Sequence, residues 1–256
     1  MSSTGAWVRP AFHPVVLVPV FDHEGAIGAM VDAILQHPTP CLLVDDGSGP
    51  ACEQVLRELA AAHPGRVRLV RLPQNQGKGA ALMAGFRAAA ELGYTHALQI
   101  DADGQHDAAC IPQFLALAEA APEALICGHP VYDESVPKHR LYGRYLTHVS
   151  VWINTLSFEI RDSMCGMRVY PLPAVTRLMR EVNLGHRMEF DTEVAVHLVW
   201  RGVRVVNVPT RVTYPADGVS HFDLLHDNVR IARMHARLFV GMLLRMPRLL
   251  WRKVVT

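Results

Sequence analysis

Two carboxylates separated by one residue close an apolar run in "ALQIDADGQH" (97–106): Asp101 and Asp103, with Gly104 directly after them. Like charges repel, so a pair in this place either faces water as a turn or holds something positive. Asp45 and Asp46 of "CLLVDDGSG" repeat the arrangement at the end of another apolar run. There a plain turn that caps the next helix weighs as much as a functional role, because Asp tolerates turn geometry and accepts from backbone N–H groups. In "NQGKGAAL" (75–82) Lys78 stands between Gly77 and Gly79. Either it is a solvated lysine at a helix start, or its positive head and the bare backbone approach a sugar or phosphate. "EFDTEV" (189–194) sets Glu189, Asp191 and Glu193 at alternate positions ahead of a helical pattern, where a helix N-terminus stabilises acids in any case.

Several sharper chemistries do not fit. The lysine loop lacks the GxxxxGK[ST] spacing of a phosphate loop, and no GxGxxG follows the first apolar run. "DADGQH" opens like a calcium loop, but its twelfth position is Pro112 rather than an acid, which argues against an EF-hand. The fourteen histidines form no HxH or HExxH pair, so a zinc site has little support.

These residues need a frame that brings them together. The continuous run at 15–20 suits a strand buried on both faces, and 41–46, 67–72 and 95–100 read as further strands, with "EALICG" (123–128) beyond them. Helical spacing covers 26–36, 51–63, 79–92 and 111–121. Strand and helix in alternation give an α/β fold with a parallel sheet and right-handed crossovers. Ligands in such sheets bind beyond the carboxyl ends of the strands. Four successive strands run out into "PVFDHEG", "VDDGSG", "PQNQGKGAA" and "DADGQH", so acids, glycines and a lysine all reach one edge.

Composition narrows the partners. A chain of 256 residues with net charge +1 carries no excess of basic surface, which argues against nucleic acid. Five cysteines, odd in number and without a CxxC pair, suggest buried thiols in a reducing compartment. No secretory signal and no bilayer-spanning run is legible, so the expected place is the cytoplasm.

Together the loops resemble the family 2 glycosyltransferases of the GT-A fold, most nearly the dolichyl- and polyprenyl-phosphate sugar synthases. The likeness is carried by Pro19, Phe21 and Glu24 in "PVFDHE", by "VDDGS", "NQGKGAAL" and "DADGQH", and by "DSMCGMRVY" (162–170) and "GHRMEFDTEV" (185–194). It extends more loosely into "VPTRVTYPADGVSHF" (208–222). It implies a Rossmann-like, mostly parallel sheet over residues 14–222, with residues 1–13 an N-terminal arm. It implies a nucleotide-diphosphate sugar donor contacted by Pro19, Phe21, Glu24, Asp46, Lys78, Asp101 and Ala102. The DxD acids Asp101 and Asp103, with Gln105, would hold Mg²⁺ or Mn²⁺, whose charge neutralises the departing diphosphate. Hard oxygen ligands agree with those ions. By family likeness the transfer inverts the anomeric centre.

The acceptor side is less regular. Asp162 precedes a Cys-Gly-Met-Arg turn that in the family shapes the acceptor pocket, with Met167 in place of the usual aromatic. Asp191 is the candidate general base if the acceptor is a hydroxyl; an ionised phosphate needs none. Pro215 stands where the synthases place an arginine, and "GHP" (128–130) stands where they carry a Gly-Ser-Arg-like stretch. Arg140, Arg144, Arg168 and Arg211 are the candidates to replace a phosphate site. The synthase-like reading stands first. Its alternatives are transfer to a hydroxylated lipid, of acyl or aryl-polyene type, and a non-catalytic nucleotide-sugar-binding protein recruited to a membrane.

The tail bears on location. Residues 222–256 hold seven Arg or Lys against two Asp, a net +5 that leaves −4 for the rest of the chain. Ile231, Met234, Leu238 and Met242 recur at helical spacing among Arg230, Arg233 and Arg237. The pattern predicts a basic amphipathic helix on the cytoplasmic face of a membrane, ended by Pro247 and anchored by Trp251. A helix packed back on the domain, or a homodimer contact, is the other reading.

Overall fold

In the computed structural model residues 11–131, 138–212 and 223–255 are described. The four apolar runs of the first half form β1 (Pro14–Val20), β2 (Cys41–Asp45), β3 (Val67–Arg71) and β4 (His96–Gln99), all mutually parallel. They are joined by α1 (Glu24–Leu35), α2 (Pro50–Ala62) and α3 (Lys78–Glu91). Then come α4 (Ile111–Ala120), β5 (Leu125–Val131), α5 (Lys138–Thr155), β6 (Arg168–Pro171), α6 (Leu172–Glu181), α7 (Phe190–Trp200), β7 (Val205–Arg211) and α8 (Leu224–Val255). Among the described residues the sheet has seven strands in the order β3-β2-β1-β4-β6-β5-β7. The order reverses at β1, which lies between β2 and β4, so a crevice opens beyond the carboxyl ends of those strands.

Alternation along the central strands feeds two separate cores. Val15 and Leu17 of β1, with Leu42 and Val44 of β2, pack under α3, α6 and α7. Val16, Val18, Cys41 and Leu43 pack on the other face with residues of α1, α2 and α4. A strand buried on both faces tolerates apolar residues at every position, hence the unbroken run "VVLVPV".

The second half departs from a parallel reading at one strand. β6 runs antiparallel to both neighbours, with Val169 opposite Leu98 of β4 and Ile126 of β5. Its four residues begin with the arginine of the Cys-Gly-Met-Arg segment, which the sequence presents as a turn. The helix expected at 142–160 starts earlier, at Lys138, and ends at Thr155, with Leu156 in a left-handed conformation (φ 51°).

α7 is buried along its whole length and touches α3, α5, α6 and α8. α8 supplies much of that cover, which corrects the expectation for its apolar stripe. Met234, Leu238 and Met242 are buried in the core with Ile231 packed beside them, so this stripe faces protein rather than lipid. Nor does Pro247 end the helix. The residue is exposed, and water can take the carbonyl that its missing N–H leaves open. Arg252 Nη1 donates to the carbonyl of Trp200 at 3.1 Å, and Arg245 stacks on the Trp200 ring at 4.7 Å. On the opposite side of α8, Phe239, Leu243, Met246, Leu250 and Val254 make a second apolar row that is exposed, with Val240, Leu244 and Trp251 beside it.

Because its inner stripe is core, Leu238→Ala is expected to cost about 2–4 kcal/mol and lower the melting temperature by roughly 5–15 °C. Calorimetry checks this. A shift within 1–2 °C, roughly the span of a surface substitution, would mean the helix is only lightly attached.

Candidate active site

The site is built where β1, β2 and β4 end, and its first constraint is the loop that starts α3. Gly77 has φ +103°, a conformation L side chains rarely adopt. A Cβ there would collide with His186 and Arg187, and one on Gly79 with Gly185 and Phe190. Ala80 N donates to His186 O at 2.9 Å. The Gly-Lys-Gly spacing is therefore read against backbone: both glycines lie on residues 185–187, and Lys78 between them projects into the crevice. Asp46 fixes the other side of the loop, since its two oxygens accept from Gln76 N and Gly77 N at 2.8 and 2.7 Å. Its buried carboxylate thus ties the end of β2 to the loop. Asp45, also buried, accepts from Ser48 N at 2.8 Å in the turn and pairs with Arg71, but it does not cap α2, whose N-cap is Gly49.

Lys78 joins two acids from distant parts of the chain. Its Nζ lies 2.7 Å from Asp101 Oδ2 and 2.8 Å from Asp191 Oδ2. Gln99 Nε2 reaches Asp101 Oδ1 and Asp191 Oδ1, both at 3.3 Å, so the four side chains close a ring. Burial opposes the charge on Lys78, but attraction by Asp101 and Asp191 outweighs it and holds the ammonium above the ordinary lysine value. The same pairing overcomes burial at Asp101 and depresses its carboxyl. Asp103 is pushed up instead, by burial and by the charge of Asp101. Its Oδ1 accepts from Gln105 N at 3.0 Å, and Ala102 between the acids is buried.

Gly166 leaves room for this constellation, because a Cβ there would overlap the Asp101 carboxylate. Two residues on, Arg168 is fully buried. Its Nε donates to Cys165 O at 2.9 Å and its Nη1 to the backbone carbonyl of Asp191 at 2.5 Å. It is a positioning residue beneath the site, which corrects its candidacy for an acceptor phosphate. Asp162 accepts from Arg144 through both oxygens, at 2.5 and 2.8 Å, and from Met164 N and Cys165 N. His148 Nε2 lies 3.2 Å from it. Burial alone would raise this carboxyl; His148 and Arg144 overturn that and hold it far below the usual range. Arg144 and Asp162 are thus one ion pair that shapes the 162–168 turn.

The remaining candidates divide by exposure. Pro19 is buried at the end of β1, Phe21 is half-buried just after it, and Glu24 is exposed at the start of α1. Arg211 is exposed at the end of β7, next to Val212, which bridges to His106 of the DADGQH loop. The side chain of Arg140, and Pro215 altogether, lie outside the described residues. Gln99 and Gly166 were not singled out from sequence. A glutamine inside an apolar strand two residues before the acids was the available signal for the first.

A family model described as glycosyl transferase family 2 matches residues 15–181. The chain belongs to that family. It is a glycosyltransferase, and the segments that carry the likeness in sequence are the ones that converge here. It is 28% identical to the polyprenol monophosphomannose synthase of Mycolicibacterium smegmatis, over 84% of this chain and 83% of that one. It is 26% identical to the mouse dolichyl-phosphate beta-glucosyltransferase, over 73% of this chain and 63% of that one. In structure it is similar to the glucosyl-3-phosphoglycerate synthase of Mycobacterium tuberculosis, with a TM-score of 0.64, 15% identity and coverage of 92% and 80%. That likeness shows the fold.

Gly166→Ala is expected to move the Asp101 carboxylate without opening the core, since the collision is with the end of a side chain. Transfer should fall about 10²-fold, the scale of a 1 Å misplacement, while the melting temperature stays within a few degrees. Kinetics beside a thermal melt check both halves.

Proposed function

We propose that this enzyme moves a sugar from a nucleotide-diphosphate donor to a polyprenyl-type lipid phosphate, with Mg²⁺ or Mn²⁺ at Asp101 and Asp103, at the cytoplasmic surface of a membrane. The observation that carries the reading is the meeting of Asp101, Asp103, Lys78 and Asp191 at the carboxyl ends of the strands. Three carboxylates, Asp101, Asp103 and Asp191, gather about the ammonium of Lys78, which pairs with the first and the last. Burial and the charge of Asp101 push the Asp103 carboxyl up, so the cluster is short of positive charge. That deficit and the hard oxygen donors suit a divalent cation, which binds through one or two carboxylates plus substrate phosphates. Bound there, it would neutralise charge on the departing diphosphate. Gln105 is the further ligand, and Pro19, Phe21, Glu24 and Ala102 form the donor side of the crevice.

The acceptor follows from the state of Asp191. Both of its oxygens already take donors, Lys78 and Gln99, and Arg168 fixes its backbone. Engaged at both oxygens, it orients Lys78 and Gln99. A phosphate, ionised at neutral pH, needs no base, so this geometry favours it over a lipid hydroxyl. Relatives acting on polyprenol or dolichyl phosphate by name support the same choice. Arg211, exposed beside the His106–Val212 bridge, is our candidate to meet the acceptor phosphate.

Among the described residues no helix is long and apolar enough to cross a membrane. The outer row of α8 supports a peripheral seat instead. Arg230, Arg233, Arg237 and Arg248 border its exposed apolar side chains, a combination that matches an anionic lipid surface. Facing a second copy, the same arginines would meet like charge.

Transfer to polyprenyl phosphate and to hydroxylated lipids, measured for parent, Asp103→Asn and Asp191→Asn, tests the reaction. Polyprenyl phosphate should be the better acceptor, Asp103→Asn should abolish transfer and its metal dependence, and Asp191→Asn should cost about tenfold. Preference for a hydroxylated lipid, with a loss of 10²–10⁴ in Asp191→Asn, would make Asp191 a general base. For the seat, Leu243→Asp with Trp251→Asp should abolish flotation with anionic vesicles and leave the melting temperature unchanged. Retained flotation would reject the outer row as the lipid contact.

A further inference from the structure

The ring of Lys78, Asp101, Asp191 and Gln99 has a consequence for when a cation can enter. Asp101 has two oxygens, and both are engaged: Oδ2 by the Lys78 ammonium at 2.7 Å and Oδ1 by the Gln99 amide at 3.3 Å. A divalent ion approaching Asp101 alone must share an oxygen that already accepts a donor, and it then sits beside the positive charge of Lys78. The ammonium cannot withdraw with its loop, because Gly77 and Gly79 are wedged on residues 185–187 and Asp46 holds the loop from the other side. Only the side chain can swing. A diphosphate changes the balance, since it carries oxygens for the cation and a negative partner for Lys78 together. Gln99 stays behind to bridge the two acids.

We infer that Lys78 is the internal counter-ion of the donor-free site: it clasps Asp101 to Asp191 and makes metal binding conditional on the nucleotide. This rests on the metal reading of Asp101 and Asp103 and adds an order to it. The clasp keeps the crevice shaped while it is empty, and metal and nucleotide each raise the other's affinity by the same factor, as linkage requires.

The test is Mn²⁺ binding followed by electron paramagnetic resonance, with and without GDP or UDP. Nucleotide-free parent should bind Mn²⁺ weakly, and nucleotide should strengthen binding. Lys78→Gln should bind Mn²⁺ at least about tenfold more tightly without nucleotide, within the range of such couplings, and the gain from nucleotide should shrink. Lys78→Arg, which keeps the charge, should behave as the parent. Unchanged or weaker nucleotide-free binding in Lys78→Gln overturns the clasp. If Asp103→Asn still removes the nucleotide-dependent signal in that case, the metal reading survives and only the clasp falls. Mn²⁺ binding indifferent to Asp103→Asn removes both.

A second measurement uses the parent protein and is independent of how the variants fold. The chain has three lysines, so ¹⁵N-lysine labelling gives a simple ammonium spectrum. The Lys78 resonance should stay in place with Mg²⁺ alone and move with Mg²⁺ plus the nucleoside diphosphate. Displacement by Mg²⁺ alone at the same concentration overturns the inference.

Discussion

The close approach of residues 77–79 to the backbone of residues 185–187 is the contact on which this molecule turns. It joins the regular first half of the chain, where strands and helices alternate, to the segment that leads into α7. Side chains at 77 and 79 would hold the two apart, and Gly77 also needs a backbone angle that a side chain disfavours. Once the contact is made, Lys78 has one direction left to point. Asp101 and Asp191, ninety residues apart, become its partners. Asp46 closes the same loop from β2, so three elements agree on the position of one ammonium group.

Burying that much charge is tolerable because the charged groups meet polar partners. A buried charge without a partner costs more than most single interactions supply. Here Arg168 lies under the site against two backbone carbonyls, Arg144 takes both oxygens of Asp162, and Glu193 accepts from Gly185 N at 2.7 Å and from Arg237 at 3.1 Å. The Cys-Gly-Met-Arg segment does two jobs in this scheme. Gly166 makes space for Asp101, and Arg168 anchors the backbone of Asp191. That is why a short antiparallel strand can sit in the middle of an otherwise parallel sheet: β6 carries the guanidinium to the floor of the crevice.

Much of this was legible in the residues. An unbroken β-branched run marked β1 and shorter runs marked β2 to β4, and the rule that ligands gather at strand carboxyl ends placed the acids and the lysine on one edge. The spacing of Glu189, Asp191 and Glu193 put them near a helix N-terminus, where Glu189 is the N-cap and Asp191 and Glu193 lie in the first turn. What the pattern could not carry was direction and burial. Nothing in "MRVYP" distinguishes an antiparallel strand from a parallel one, since pairing depends on where the chain returns. Arg168 reads as surface charge by type, yet packs at zero exposure because two carbonyls and Tyr170 surround it. Asp46 and Asp45 look alike in sequence, and only the path of the 75–79 loop decides which holds that loop.

The tail makes the same point from the other side. Helical periodicity found the stripe of Ile231, Met234, Leu238 and Met242, but periodicity says that a face is apolar and not what covers it. Cover by α5 and α7 leaves a second row, offset by half a turn, as the exposed apolar surface. Both faces matter to the crevice. Arg237 of α8 bonds Glu193, Glu193 bonds Gly185, and Gly185 belongs to the backbone on which the Lys78 loop rests. Three contacts therefore separate the helix from the ammonium that ties Asp101 to Asp191. A helix so connected cannot tilt on a lipid surface without carrying residues 185–187 with it, so the element proposed to seat the enzyme is also one that fixes the geometry of its site.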